Sequence, residues 1–197
     1  HKDPGFASGK KGMEQSIRFG VVAACPHPQV EYTKVNYSKK PWAAEPWQTI
    51  SYCECHDNHV LRDKLKLSAP DATETQRKEM VRLALSIVLT SQGIAFLHAG
   101  TEMYRTKYGV ENSFESSDSI NAIDWNNATS EAELVAYVRN LISLRKAHPA
   151  FRMKEAASIA RAIQFSDSPP GTVVYTINGT LAGDHWKQIA IYYNGSA

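Results

Sequence analysis

The sequence lacks a strong excess of either charge, and it lacks a long apolar run. Its 22 Lys and Arg residues and 20 Asp and Glu residues give a formal net charge of +2. This balance argues against nucleic-acid binding, because non-specific affinity for a phosphate backbone comes from dense positive charge. The longest apolar stretches, such as residues 83–89, are far shorter than the roughly 20 residues of a membrane-spanning helix. We therefore expect a soluble chain with no nucleic-acid and no membrane partner.

Cysteine is also scarce: the chain has only three, and Cys53 and Cys55 are separated by one residue. An odd number with this spacing does not form a disulfide framework, which favours reduced thiols. Cys53 and Cys55 could begin a metal site, but the sequence has no second pair of cysteines, so buried thiols acting as small apolar groups are favoured. The sequence also lacks a phosphate-binding Gly-rich loop and a Ser nucleophile elbow. It therefore predicts neither a metal site nor a cofactor.

What is present is the composition of an ordinary globular protein, with 43% hydrophobic and 21% charged residues, which excludes disorder and a collagen-like structure. The 197 residues could form one domain with a full core. They are fewer than the roughly 250 that a (β/α)8 barrel typically needs.

A strand, a helix and a second strand are predicted in the first half of the chain. Residues 1–47 are mostly loop, with an apolar patch at 19–25 that fits a helix end or a strand. Residues 49–55 are β-branched and aromatic, which predicts a strand. Thr73 and Gln76 form a capping-box pattern that predicts a helix beginning there and ending near residues 92–93. The apolar run at 93–100 fits a strand buried on both faces, so the three elements form a βαβ unit.

The second half changes from helical to strand periodicity. A polar stretch at 101–127 precedes a helix predicted to begin at Ser130, with Glu133 as its capping partner, and to end before His148. Residues 162–165, 172–177 and 188–193 are short β-type runs separated by turn residues. We therefore place a domain boundary near Phe151, with residues 152–197 as the start of an antiparallel β domain.

Two polar segments follow the predicted parallel strands, where α/β proteins bind ligands. Residues 56–59 read His-Asp-Asn-His, and residues 98–104 follow the second strand. A carboxylate such as Asp57 can stabilise a developing positive charge or hold sugar hydroxyls. A loop cap or a surface ion pair explains the same residues. Two alternatives also stay open for three of the tryptophans. The rings of Trp42, Trp47 and Trp125 could stack on sugar rings or pack within the protein.

Several motifs together identify a family resemblance. They are Tyr-Ser-Lys-Lys-Pro-Trp-Ala-Ala-Glu-Pro at 37–46, the His-Asp-Asn motif with its flanks at 52–64, the segment 89–103, and the segments 105–107, 111–113, 117–125 and 144–151. This set resembles the type I pullulanases, which belong to glycoside hydrolase family 13, the α-amylase superfamily. The resemblance covers nearly all of residues 1–165.

The resemblance implies both a fold and an activity. Residues 1–151 would be the last strands and helices of a (β/α)8 TIM barrel, and residues 152–197 the start of a C-terminal antiparallel β-sandwich. The activity is that of a debranching glycosidase, which hydrolyses α-1,6-glucosidic linkages with retention in pullulan, starch or glycogen-derived glucans. Calcium binding and the cellular compartment, bacterial cytoplasm or a secreted or periplasmic location, stay open.

The resemblance also implies roles for individual residues. Asp57 matches the carboxylate that stabilises the transition state and contacts sugar hydroxyls. The substrate-binding positions that it implies are His56, Asn58, Arg105, Asn112 and Asp118.

The nucleophile and the acid/base of the family close its fourth and fifth barrel strands, and neither motif occurs in this chain. The resemblance therefore implies that the chain alone is inactive, and that its partners are an α-glucan and the missing N-terminal part of the same enzyme. The alternative is a non-catalytic fragment that binds glucan or has only a structural role.

Overall fold

The computed structural model describes residues 2–196, and its helices and strands form a mixed α/β structure with two small sheets. None of the helices in this range is long and apolar enough to cross a membrane. In chain order the elements are α1 (Glu14–Val21), β1 (Ile50–Ser51), α2 (Leu61–Ser68), α3 (Glu74–Thr90), β2 (Ile94–Ala95), α4 (Asp118–Asn121), α5 (Asn127–Ser130), α6 (Ala132–Ala147), α7 (Ala156–Ala162), β3 (Ile163–Ser166), β4 (Thr172–Asn178) and β5 (Gln188–Asn194).

The predicted βαβ unit is present, but its strands are short. Strands β1 and β2 pair in parallel, with Ile50 opposite Ile94. The N–H of Ile94 donates to the Thr49 carbonyl at 3.0 Å, and the N–H of Phe96 donates to the Ser51 carbonyl at 2.9 Å. Each strand has two residues instead of the seven or eight predicted, because only this short ladder joins them and the chain then bends into the loops that follow.

Helix α3 begins where the sequence predicts. The N–H of Gln76 donates to the Thr73 hydroxyl at 3.2 Å, and the Thr73 N–H donates to the Gln76 side chain at 2.7 Å, which completes the capping box. The helix ends at Thr90, a little before the predicted stop. Gly93 then forms the turn into β2 at a φ of +85°, where a Cβ would lie 2.5 Å from the Thr49 hydroxyl. Only glycine fits this close approach without strain.

The predicted start of the second long helix is wrong. Ser130 is the last residue of α5, and its hydroxyl donates back to the Asn127 carbonyl at 3.5 Å instead of capping. Helix α6 therefore begins at Ala132. The sequence pattern predicts no element for most of the residues in helices α2, α4, α5 and α7. The apolar patch at 19–25 is a helix end, since α1 finishes at Val21.

The bounds of the C-terminal strands agree with the predicted bounds within about a residue at each end. Strands β3, β4 and β5 form an antiparallel sheet in that order, with Phe165 opposite Tyr175 and Tyr175 opposite Ile191. Alternate residues of β4 are buried, and Val173, Tyr175 and Ile177 are fully inaccessible. They join a core that also includes residues of α1, α7 and the loop that follows α1.

A buried arginine holds the turn between α3 and β2. The Arg145 guanidinium of α6 donates to the carbonyls of Leu89 at 3.0 Å, Ser91 at 2.6 Å and Gly93 at 2.7 Å. The carbonyls of Leu89 and Ser91 lie in buried positions at the end of α3, so Arg145 satisfies them and fixes α6 against the turn.

Gln92 connects the same turn to two other segments. Its side chain is fully buried, donates to the Ala150 carbonyl at 2.8 Å and accepts the Met153 N–H at 3.0 Å. Its own N–H donates to the Val21 carbonyl at 2.9 Å. The turn is thereby fixed against α1 and against the segment that leads into α7.

Replacing Gln92 by leucine should lower the free energy of unfolding by about 2–6 kcal/mol. Leucine leaves the Ala150 carbonyl and the Met153 N–H buried without partners, and each such group costs about 1–3 kcal/mol. Urea unfolding followed by circular dichroism measures the change. The matched control is Gln164→Leu on the exposed face of β3, which should change stability by about 0.5 kcal/mol or less. Equal effects of the two changes would contradict this role of Gln92.

Candidate functional site

The candidate site lies on the loop that leaves β1, at residues 53–60. Asn58 has a φ of +63°, in the left-handed region that asparagine enters more easily than most residues. Its N–H donates to the Asn112 side-chain oxygen at 3.1 Å. Two of the predicted substrate-binding residues, 54 positions apart in the sequence, are therefore in contact.

The His56 and Asp57 side chains are adjacent and open to solvent. Nε2 of His56 lies 3.4 Å from the Asp57 carboxylate, and the two side chains are 76% and 72% exposed. Asp57 and Asn58 line a cleft of about 320 Å³, together with Tyr52, Cys53, Glu54, Cys55, His59 and Lys64. Asp57 thus offers an exposed carboxylate to a ligand in that cleft.

Glu54 holds the base of this loop, a role that sequence reasoning did not assign. Its buried carboxylate accepts the Leu61 N–H, at the start of α2, and the Thr101 hydroxyl, which follows β2. Nδ1 of His98 lies 4.0 Å from the same carboxylate. Glu54 therefore connects the loop after β1, which carries Asp57, to the loop after β2. An acidic residue within a predicted strand was the only sequence signal of this role.

Burial changes the proton affinity of these groups. Desolvation raises the pKa of Glu54 above its usual value, against the opposing effect of its hydrogen bonds with Thr101 and Leu61. Desolvation lowers the pKa of His98, and the nearby cations Arg105 and Lys107 lower it further. Burial also raises the pKa of the Cys53 thiol to about 12, which keeps it protonated and agrees with an inert thiol.

A second buried carboxylate, Asp63 of α2, orders the loop that carries Arg105 and Asn112. It accepts the Thr106 hydroxyl at 2.6 Å and the N–H groups of Lys107 at 2.8 Å and Gly109 at 3.1 Å. The position of Asn112 beside Asn58 therefore depends on a contact between α2 and this loop.

The other two predicted binding residues have different surroundings. The Arg105 guanidinium donates to the carbonyls of Ala99, at 3.1 Å, and of Asn121, so it fixes backbone segments. Asp118 is exposed at the start of α4, and its carboxylate makes no hydrogen bond within residues 2–196. The structure thus brings His56, Asp57, Asn58 and Asn112 together, but it shows no contact that joins Asp118 to them.

The three tryptophans considered for sugar stacking are all largely exposed. The exposed fractions of Trp42, Trp47 and Trp125 are 59%, 63% and 70%. Trp47 also lines a cavity of about 570 Å³ beside β2, which it shares with Ile94 and Ile142. Packing within the described residues therefore leaves most of each ring free for another surface.

The raised pKa of Glu54 predicts a pH dependence of stability. Between the ordinary value of 4.5 and the raised value, the folded chain binds more protons at this group than the unfolded chain does. The contribution of Glu54 to the free energy of unfolding should therefore fall as the pH rises through this window. Glu54→Gln, which cannot ionise, should remove that fall when unfolding by urea is measured at a series of pH values.

The matched control for this measurement is Glu133→Gln, because the Glu133 side chain is 93% exposed. It should leave the pH dependence as in the unchanged chain. The interpretation of Glu54 would be wrong if the free energy of unfolding depended on pH with the same slope in both variants.

No family model matches the chain, but the comparisons of sequence and of structure both find pullulanases. The chain is 43% identical over 149 residues to the pullulanase of Bacillus subtilis (strain 168), a match that covers 76% of the chain and 21% of that protein. A pullulanase from Paenibacillus barengoltzii, solved in complex with maltohexaose and α-cyclodextrin, is 44% identical with a TM-score of 0.89, over 98% of this chain and 28% of that one. The pullulanase type I of B. subtilis, solved with maltose, has a TM-score of 0.90 at 38% identity, over 98% of this chain and 26% of that one.

The chain thus spans about a fifth of the length of the curated relative and about a quarter of the length of the solved ones. Nearly all of it superposes on them. With this similarity in both sequence and structure, the chain matches a part of the type I pullulanases of the α-amylase superfamily.

Proposed function

We propose that this chain is the C-terminal portion of a debranching glycosidase that hydrolyses α-1,6-glucosidic linkages in pullulan, starch or glycogen-derived glucans. The observation that carries the proposal is the exposed His56–Asp57 pair after β1, whose Asp57 lines a cleft, on a chain that matches a part of the type I pullulanases. In this reading Asp57 stabilises the transition state and His56 and Asn58 contact the same sugar.

The chemistry of the reaction explains why a free carboxylate belongs at this place. Glycoside hydrolysis passes through an oxocarbenium-like transition state, in which the sugar ring carries positive charge. A carboxylate beside that ring is most favourable at the moment the charge develops, so it lowers the barrier. The His56 imidazole, 3.4 Å from Asp57, can donate to the same hydroxyls. The Asn58–Asn112 hydrogen bond fixes the loop on the other side of Asp57.

The nucleophile and the acid/base are proposed to lie in the part of the enzyme outside this chain. A retaining mechanism needs two carboxyl groups about 5–5.5 Å apart on opposite sides of the scissile bond. Glu54 is the buried carboxylate closest in sequence to Asp57, and Leu61 and Thr101 already occupy it. Without a nucleophile the covalent step is missing, so the chain alone should not hydrolyse glucan.

Support for an incomplete barrel comes from the two faces of the parallel strands. Cys53, Ala95 and Leu97 pack against the cluster formed by α2, α3 and α6. On the opposite face Tyr52 and Phe96 meet edge to face at 6.2 Å, and Ile50, Tyr52, Ile94 and Phe96 are 59%, 57%, 49% and 39% exposed.

Parallel strands are normally covered on both faces, as in a TIM barrel. We therefore propose that residues 1–151 complete a (β/α)8 barrel whose other strands cover this apolar face, and that residues 152–197 begin a β-sandwich.

The alternative, a fragment that only binds glucan, is favoured by one observation. Trp42, Trp47 and Trp125 are all more than half exposed, and flat apolar rings of this kind stack on sugars. Isothermal titration of the chain with branched maltooligosaccharides distinguishes the two functions when it is combined with an activity assay of a completed enzyme. Affinity without hydrolysis in the completed enzyme would favour the alternative.

The activity test uses a fusion in which this chain replaces the matching segment of the B. subtilis pullulanase. We expect the fusion to release reducing ends from pullulan and Asp57→Asn to lower its kcat by about 10²–10³-fold. This is the range for loss of one preorganised group that stabilises developing charge. KM should change less, because the charge develops mainly in the transition state.

The matched control is Asp71→Asn, since Asp71 is an exposed carboxylate on the loop between α2 and α3. It should leave kcat unchanged. Turnover by the Asp57→Asn fusion at the rate of the unchanged fusion would overturn the role proposed for Asp57.

A further inference from the structure

Three metal-ligating side chains meet at the junction between α6 and the C-terminal sheet, away from the cleft that contains Asp57. His148 directly follows α6, whereas Asp184 and His185 lie on the loop between β4 and β5. One ligand atom from each residue lies within 4.8 Å of the other two. Because His148 and Asp184 are 36 positions apart in the sequence, the fold and not local spacing assembles this group.

The distances match those of ligands on a tetrahedral metal ion. Nδ1 of His148 lies 2.9 Å from Oδ1 of Asp184, and Nδ1 of His185 lies 3.5 Å from the same oxygen. Zinc bonds of about 2.0–2.1 Å in a tetrahedron place two ligand atoms roughly 3.3 Å apart. The two observed separations lie on either side of this value, and the exposed His185 ring, which stacks on His148, has to turn for both imidazoles to face one ion.

Two of the three side chains are held in place by their surroundings. The side chains of Asp184 and His148 are 0% and 5% exposed. The Asp184 carboxylate accepts the N–H of Ala150 at 3.1 Å and the N–H of Trp186 at 3.0 Å. Hydrogen bonds of this kind orient a carboxylate ligand and are a regular feature of metal sites. The Trp186 ring, centred 3.7 Å from the His148 ring, covers the site on one side.

The third side chain leaves an entry from solvent. His185 is 64% exposed, and its ring stacks on that of His148 at 4.6 Å. A metal ion can therefore reach the site without opening the core. Three protein ligands leave a fourth position for water.

We propose that His148, Asp184 and His185 bind a divalent transition metal ion of the zinc class. Two imidazoles and one carboxylate suit zinc and its neighbours, whereas calcium and magnesium prefer an all-oxygen shell. In the bound form each histidine presents Nδ1 to the ion, and the proton of His148 moves to Nε2. The ion joins the end of α6 to the β4–β5 loop, so it connects the helical part of the chain to the C-terminal sheet.

The test is a titration of the full 197-residue chain, first stripped of metal with a chelator, with Zn²⁺ by calorimetry and with Co²⁺ by visible absorption. We expect one ion per chain and the d–d absorption of a tetrahedral Co²⁺ site with nitrogen and oxygen ligands. Zn²⁺ should raise the midpoint of thermal unfolding, because an ion that binds only the folded chain stabilises it. Ca²⁺ at the same concentration should not raise it.

The decisive variant is His185→Ala, since this exposed side chain can be removed without disturbing the core. It should weaken Zn²⁺ binding by at least about tenfold, because even the loss of a group that only orients a ligand costs 10–100-fold. The matched control is His56→Ala, another exposed histidine, which should leave binding unchanged. Thermal unfolding without metal shows whether each variant is folded.

Three results would overturn the proposal. One is the absence of Zn²⁺ binding by the folded chain, which would leave His148 and Asp184 as a hydrogen-bonded structural pair. Another is unchanged affinity in His185→Ala. The third is a thiolate-to-cobalt charge-transfer band together with loss of binding in His56→Ala, which would place the ion at Cys55 and His56, whose Sγ and Nδ1 lie 3.2 Å apart.

Discussion

The buried hydrogen bonds at the turn between α3 and β2 are the constraint on which the positions of the other elements depend. Arg145 of α6 donates to three carbonyls of this turn, and Gln92 within it bonds to Val21, Ala150 and Met153. From the C-terminal sheet the Tyr175 hydroxyl donates to the Thr90 carbonyl at 3.2 Å and lies 2.8 Å from the Tyr193 hydroxyl. Helices and sheet thus meet where backbone groups would otherwise be buried without partners, which makes this arrangement costly to change.

The candidate site depends on the same turn. Because the turn fixes β2 beside β1, the loops that leave both strands emerge side by side, and the Glu54 carboxylate can bond to Leu61 and Thr101 at once. Asp57 is then presented from a firmly held base while its own side chain stays exposed. A rigid base under an exposed carboxylate suits a group that must stabilise charge without moving.

Local signals in the sequence predicted the elements that local interactions determine. The Thr73–Gln76 capping box and the alternating C-terminal strands are examples, since their partners lie within a few residues or on the adjacent strand. Contacts between distant segments were not predictable in this way. Ser130 matches a capping pattern but belongs to the preceding helix. Arg105 was predicted to bind substrate, but its guanidinium donates to the backbone carbonyls of Ala99 and Asn121, which the sequence pattern does not show. The resemblance to a family predicted a site at His56 and Asp57, but only the fold revealed the contacts of the buried Glu54 in the same loop.

In the proposed function, Asp57 contacts the sugar at the point of cleavage once the rest of the enzyme is in place. The most direct measurement is a crystal structure of the fusion with the B. subtilis pullulanase, with a branched maltooligosaccharide bound. We expect the Asp57 carboxylate to lie within about 2.5–3.2 Å of sugar hydroxyls, the range of a hydrogen bond. A sugar bound in the completed cleft with Asp57 facing solvent and making no contact to it would show that Asp57 does not have this role.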